Sequence, residues 1–335
     1  MILVTGGTGL VGGHMLLHIL ESNPNQAIRA TFRSDKSKVS TKNLFELYDE
    51  LDLFNQIQWV QADILDITEL EACFEGVNQV YHCAALISFK PQDYSTMRRT
   101  NIEGTANMVN LSLSHEVEKF CFVSSIAAVE KNPYGGETNE EEDWNPETEK
   151  NGYAITKYGA EIEVWRGSQE GLKVIVVNPG VILGPGYWNQ GSGTLFRKMV
   201  RGMKYYTTGS TGFVGVWDVV KVMKTLMDST ITDNRYILVS ENISFEDLFL
   251  EMASALGTKA PYKRATKSTL GFAWRYEWLR SKLTGKGPRI TKYTAQSILT
   301  HTFYSNRKVR EALPTFEFEP LAEVIRKTAN FYPWE

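Results

Sequence analysis

The chain opens Met1-Ile-Leu-Val-Thr-Gly-Gly-Thr-Gly-Leu-Val-Gly-Gly13, an apolar run that breaks into five glycines within eight residues. Met1 to Val4 read as a short buried strand, and His14 to Leu20 read as a helix that begins where the glycines stop. Strand, glycine turn and helix form the context in which a dinucleotide pyrophosphate is held. The glycines let the turn tighten and the backbone approach the anion, and the helix start offers free N–H groups to it. The stretch fits two templates, Gly7-x-Gly9-x-x-Gly12 and Thr5-Gly6-x-x-Gly9-x-x-Gly12. The remaining sequence has to choose between them.

A chain of 335 residues can bury a large core, and its length suits two domains or one enlarged one. The net charge of −3 gives no global basic field to recruit nucleic acid or anionic lipid, so neither is an expected partner. Cys73, Cys83 and Cys121 are odd in number and widely spaced, which argues against a disulfide frame or a zinc site and suits a reducing cytoplasm. His14 and His18 share a helix face, but HMLLH lacks the glutamate of HExxH, so no metal is expected. The apolar start is read as the first strand rather than a signal peptide, and no apolar run reaches the roughly 18 residues of a membrane span.

Strands are expected at 27–32, 58–61, 79–82, 119–124, 173–178 and 235–239, with helices at 43–53, 67–74, 96–114, 153–169, 193–201 and 218–228. This alternation predicts an α/β fold with a doubly wound parallel sheet of the Rossmann kind. Beyond about residue 241 the pattern turns helical. The expected division is a dinucleotide-binding domain of 1–178 that also receives about 209–240, and a smaller, mainly helical substrate lobe of 179–208 and 241–335. The acidic stretch 137–150, with seven acids in fourteen residues, reads as a solvated loop.

The second strand ends Thr31-Phe32-Arg33-Ser34, without the acid that would hold the ribose hydroxyls of NAD. Arg33 can instead grip a 2′-phosphate, with Lys36 and Lys38 close by in sequence, so NADP is the expected cofactor and NAD the alternative. Asp63, followed by Ile64 after the third strand, is placed to accept from an adenine amino group.

A second motif carries the chemistry. Tyr153-Ala-Ile-Thr-Lys157 sets a phenol and an ammonium on one helix face, and a cation there is expected to lower the tyrosine pKa toward neutrality. Tyr153 then reads as a proton donor to a carbonyl, with Ser125, after the fifth strand, polarising the same oxygen.

Together these residues make the chain resemble the extended short-chain dehydrogenase/reductase family. TGGTGLVG resembles the family's phosphate loop, His82-Cys-Ala-Ala85 its fourth-strand segment, and Asn101-Ile-Glu-Gly-Thr105 its NxxGT helix segment. Asn178-Pro-Gly-Val181 resembles the turn that lines the nicotinamide. Phe213–Val219 and Tyr304–Lys308 resemble later landmarks. The resemblance implies a catalytic set of Ser125, Tyr153, Lys157 and Asn101. It also implies a cofactor site of Gly6, Thr8, Gly9, Leu10, Val11, Gly12, Arg33, Lys38, Asp63, Ile64, Ala84, Ala85, Tyr153, Lys157, Pro179 and Val181.

Within the family, Ser125-Ile-Ala-Ala-Val129-Glu130 lacks the S-x-x-V-Y-G of nucleotide-sugar enzymes and looks like the loop of dihydroflavonol reductases, cinnamoyl-CoA reductases and 3β-hydroxysteroid dehydrogenases. The expected activity is hydride transfer between NADP(H) and a carbonyl or secondary alcohol of a hydrophobic small molecule. A nucleotide-sugar epimerase or dehydratase with tightly held NAD, and a non-catalytic dinucleotide-binding scaffold or sensor, remain as alternatives. Leu86, Ser88, Phe89, Ser125, Tyr187 and Trp188 are the candidate substrate residues. A homodimer is an open possibility, and the aromatic stretch 272–278 reads first as core packing, with a lid, an oligomer face or a membrane-touching surface as alternatives.

Overall fold

The computed structural model describes residues 1–284, 287–288 and 290–334. Two sheets organise it, built from β1 (Ile2–Thr5), β2 (Ile28–Phe32), β3 (Gln58–Gln61), β4 (Gln79–His82), β5 (Lys119–Val123), β6 (Val174–Pro179), β7 (Val181–Leu183), β8 (Ser210–Gly215), β9 (Asn234–Leu238) and β10 (Glu241–Ser244). The larger sheet is parallel throughout, in the order β9-β6-β5-β4-β1-β2-β3. The order in which strands are added reverses between β1 and β4, the crevice where open α/β sheets bind ligands at the carboxyl ends of their strands. This is the expected Rossmann architecture.

The central strands β1, β5 and β6 are nearly continuous apolar runs because both faces are covered. In β1, Ile2 and Val4 face one core cluster while Leu3 faces the other. Cys121 and Val123 alternate in the same way with Phe120 and Phe122 in β5, as do Ile175 and Val177 with Val174 and Val176 in β6. The first cluster is closed by α1 (Leu10–Ser22), α2 (Asp35–Leu47) and α6 (Val216–Asp228), and the second by α3 (Gly104–Ser114) and α4 (Gly152–Gln169). The smaller sheet, β10-β8-β7, packs with α5 (Gly193–Val200), α7 (Phe245–Ala255) and α9 (Leu321–Asn330) around Phe196, Phe213, Leu248 and Val324. Within 209–240, β8 pairs into this smaller sheet, while β9 completes the larger one. Among the described residues no helix is long and apolar enough to cross a membrane.

Three segments depart from the sequence reading. The helix expected over 43–53 is two helices, α2 and Leu51–Gln56, because Asp49 takes a left-handed conformation (φ 58°) at the end of α2. The helix expected over 96–114 widens into a π turn at Arg99–Glu103, which carries the buried Asn101. The acidic stretch 137–150 is largely exposed, as expected, but it is docked at two points. Glu140 is buried and accepts the Ile237 N–H at 2.7 Å, satisfying a backbone donor of the edge strand β9, and Trp144 stacks on Tyr158 at 4.1 Å.

Two histidines are buried as neutral groups. His82 lies between Thr5 Oγ1 (2.6 Å) and Thr105 Oγ1 (3.0 Å), and burial holds its pKa at about 3. His14 is held at about 4. The unfolded chain takes up these protons near pH 6.5 and the folded chain does not, so the stability tied to each is present above 6.5 and lost as pH falls. Between pH 7 and pH 5 the wild type should lose about 2 kcal/mol at His82 that a His82→Gln variant does not lose. Urea titrations at both pH values should therefore give a wild-type advantage that shrinks by that amount. A constant advantage would mean that His82 is charged in the fold.

Candidate active site

The glycine loop is held by contacts that exclude side chains. Gly6 has φ +67°, and a Cβ there would lie 2.6 Å from the Ala84 nitrogen. A Cβ on Gly12 would run into the Gly6 carbonyl, so α1 starts directly against the end of β1. Gly9 is roomier, its nearest neighbour being the Gly6 oxygen at 3.4 Å. It is the N-cap of α1 and offers no side-chain cap, which leaves the first-turn N–H groups of Leu10, Val11 and Gly12 directed out of the helix end. Thr8 lies in the same turn. The cradle fits the TGxxGxxG template, and the space above Gly9 suits a pyrophosphate.

At the end of β2, Arg33 is exposed and its carbonyl accepts from Gln61 Nε2. Lys38 is not a free cation: it pairs with Asp35 at 2.8 Å and lies 4.1 Å over the Phe32 ring. Asp63 caps its own turn, accepting the Leu65 N–H at 3.0 Å. Ile64 is buried against Gly104. Ala84 and Ala85 follow β4 beside Gly6, and Pro179 and Val181 close β6 and open β7.

The catalytic candidates converge at the carboxyl ends of β5 and β6. Asn151 caps α4 by accepting the Ala154 N–H at 2.7 Å, which sets Tyr153 in the first turn. Ser125 lies near the Tyr153 phenol, whose pKa it draws down, and its hydroxyl accepts the Ala127 N–H at 3.1 Å. Burial pushes the phenol up to about 12, against the pull of Ser125. The expected lowering by Lys157 is absent because the ammonium is engaged elsewhere. It donates to the Val123 carbonyl at 2.7 Å and lies 4.2 Å over the Phe122 ring. Burial brings Lys157 down to about 8, while Glu161 acts in the opposite direction.

Asn101 is buried with its amide fully used. It accepts from Leu86 N (2.7 Å) and donates to Leu86 O (3.0 Å) and Thr156 Oγ1 (3.0 Å). It thereby ties the segment after β4 to the helix that carries Tyr153 and Lys157.

The substrate candidates separate. Phe89 is exposed and meets the Tyr153 ring edge-on at 5.8 Å, with Ile87 exposed nearby in sequence. Ser88 is bonded to Asp93 at 2.6 Å within its own loop. Tyr187 is not at the site: it is buried, with its hydroxyl 2.9 Å from Thr41 Oγ1, which donates to Gly7 O at 2.9 Å. Trp188 is packed into the second lobe against Phe196 and Tyr332. Both follow a strand end, but Gly186 (φ +89°) separates them from it and turns the chain inward.

The sequence reading missed Glu161. It is buried one helical turn after Lys157, accepts from Asn178 Nδ2 at 2.6 Å and lies 3.7 Å from Arg235. The i, i+4 spacing from Lys157 was the available signal. Among the described residues no group of three His, Cys, Asp or Glu side chains could hold a metal.

A parallel doubly wound sheet with a glycine cradle and a Ser/Tyr/Lys set defines an NAD(P)-dependent oxidoreductase of the extended short-chain dehydrogenase/reductase type. The model of the NAD-binding family described as "Male sterility protein" matches residues 4–208, and the chain belongs to that family. It is 26% identical to a putative dihydroflavonol 4-reductase of Synechocystis, over 92% of this chain and 88% of that one. Among solved structures, gox2253 superposes with a TM-score of 0.81 at 27% identity, covering 99% of this chain and 97% of the other. A UDP-glucose 4-epimerase of Thermotoga maritima superposes with a TM-score of 0.76 at 22% identity, over 98% and 97%, and shares the fold.

The contacts at the two glycines differ, and so should their substitutions. Gly12→Ala must part α1 from the loop and should lower both thermal stability and dinucleotide affinity, the latter at least tenfold. Gly9→Ala should keep the melting temperature and lose affinity alone. Calorimetric titration with NADPH beside thermal melts checks this, and equal effects at the two positions would contradict the geometry.

Proposed function

We propose that the protein transfers a hydride between NADP(H) and a carbonyl or secondary alcohol on a hydrophobic small molecule. The reading rests on the Tyr153 phenol, set near Ser125 and edge-on to the exposed Phe89 beyond the carboxyl ends of the parallel strands. When bound, the nicotinamide supplies or accepts the hydride. Tyr153 keeps its proton through neutral pH, so in the reductive direction it can donate to the carbonyl oxygen while the Ser125 hydroxyl bonds the same atom. Lys157, charged at neutral pH and anchored on the Val123 carbonyl, holds a ribose hydroxyl with its remaining N–H groups and so fixes the nicotinamide against Tyr153. The Phe89 and Ile87 side chains favour an apolar ring or chain over a diphosphate. Arg33 takes the 2′-phosphate, without help from the paired Lys38. The free cysteines suit a reducing cytoplasm.

Two substitutions test the reading. Arg33→Ala removes a charge-assisted contact of roughly 1.5–3 kcal/mol, so NADPH affinity should fall about ten- to a hundredfold with NADH affinity almost unchanged. Equal affinity of the unmodified protein for both cofactors would remove the NADP assignment. Tyr153→Phe should bind NADPH normally yet turn over aromatic aldehydes and ketones about 10²–10⁴-fold more slowly. Retained NAD after purification, with no net NADPH consumption on any carbonyl, would instead favour a sugar-nucleotide epimerase.

A further inference from the structure

The helix α8 (Lys267–Thr284) has two apolar faces, and only one has a partner. Leu270 and Trp274 pack against Ile290, Ala295, Ile298 and Leu299 in a small cluster of their own. On the opposite side Phe272, Tyr276, Leu279 and Leu283 are 77%, 66%, 52% and 78% exposed. Their spacing of four, three and four residues puts them in one row along the helix. The aromatic stretch 272–278 is therefore mostly outward-facing, contrary to the sequence reading of core packing. A row of four large apolar side chains left in water is costly without a partner.

The charge around this row is one-sided. Residues 259–292 contain ten lysines and arginines and a single acid, Glu277, in a chain whose total is −3. That acid is bonded to Arg280 at 2.7 Å. Arg275 and Lys282 are exposed beside the row, their cationic groups 4.6 Å and 4.2 Å from the Trp274 and Trp278 rings. Nucleic acid would satisfy the charges but offers nothing to Leu279 and Leu283. A second copy packed isologously would bring like charges together. An anionic lipid surface satisfies both demands at once, with apolar side chains at the headgroup boundary and cations among lipid phosphates and carboxylates.

We propose that α8 docks the protein peripherally on an anionic lipid surface, Phe272, Tyr276, Leu279 and Leu283 entering the headgroup–acyl boundary with Arg275 and Lys282 beside them. The strongly acidic remainder of the chain is repelled by the same surface and fixes the orientation. Gly287, three residues beyond α8, lies close against the Gln92 side chain, in the segment that follows Phe89.

Flotation of the full chain with phosphatidylcholine vesicles, with and without phosphatidylserine, tests the proposal through a readout independent of turnover. Binding should require phosphatidylserine and weaken in about 0.5 M salt. The double variant Phe272→Ser/Leu283→Ser should weaken it at least tenfold, and Arg275→Gln and Lys282→Gln about fivefold each. All four side chains are exposed, so circular dichroism should be unchanged. Absence of binding to phosphatidylserine vesicles overturns the proposal, as does undiminished binding by the serine variant. Loss in that variant of a concentration-dependent dimer, seen by ultracentrifugation without vesicle binding, would assign the row to a second copy. Preference for single-stranded DNA over vesicles, insensitive to the serine changes, would assign the charges to nucleic acid.

Discussion

The arrangement depends on one buried ammonium. Placing Lys157 out of water is costly unless its charge is met at every side. The protein meets it with the Val123 carbonyl at the end of β5, the Phe122 ring face beneath, and Glu161 one turn further along α4. Glu161 is held in turn by Asn178 from the end of β6 and by Arg235 from β9. Three neighbouring strands and one helix are thus locked around a single cation. Tyr153, one turn back on that helix, is carried to the carboxyl edge of the sheet beside Ser125.

The second constraint is steric. The absence of a side chain at Gly12 lets α1 rest on the Gly6 carbonyl, and the chain Tyr187–Thr41–Gly7 ties the loop to α2 and to the segment after β7. The same crowding that makes Tyr187 a structural clamp removes it from the substrate side. Asn101 provides the matching clamp for the segment after β4, through both polar atoms of Leu86. The floor of the site is therefore rigid, whereas the apolar rim around Phe89 is open.

What the sequence made legible follows from periodicity and local spacing. The larger sheet was readable because β1, β5 and β6 are continuous apolar runs bounded by glycine or polar residues, and the Tyr153/Lys157 pair because it obeys helical spacing. Less legible were features set by tertiary contact. Nothing local in Tyr153–Lys157 reveals that the ammonium turns to Val123, leaving the phenol raised rather than lowered. Charge counts made 137–150 a solvated loop, although Glu140 is drawn in by one unpaired N–H of β9. The net charge of −3 averages a basic segment around α8 with an acidic remainder, and so hid the surface on which they differ.

The central proposal is that a charged, desolvated Lys157 fixes the nicotinamide ribose so that Tyr153 can donate its proton to the carbonyl. Because kcat/KM reports the ionisations of the free protein, its pH dependence with NADPH and an active carbonyl between pH 6 and about 10 tests the claim most directly. A lysine held at about 8 predicts a high plateau below that pH and a fall of about tenfold per unit above it, while Lys157→Met gives a low, flat profile. A wild-type profile that stays level to about pH 10, or a Lys157→Met profile with the same falling limb, would contradict the account.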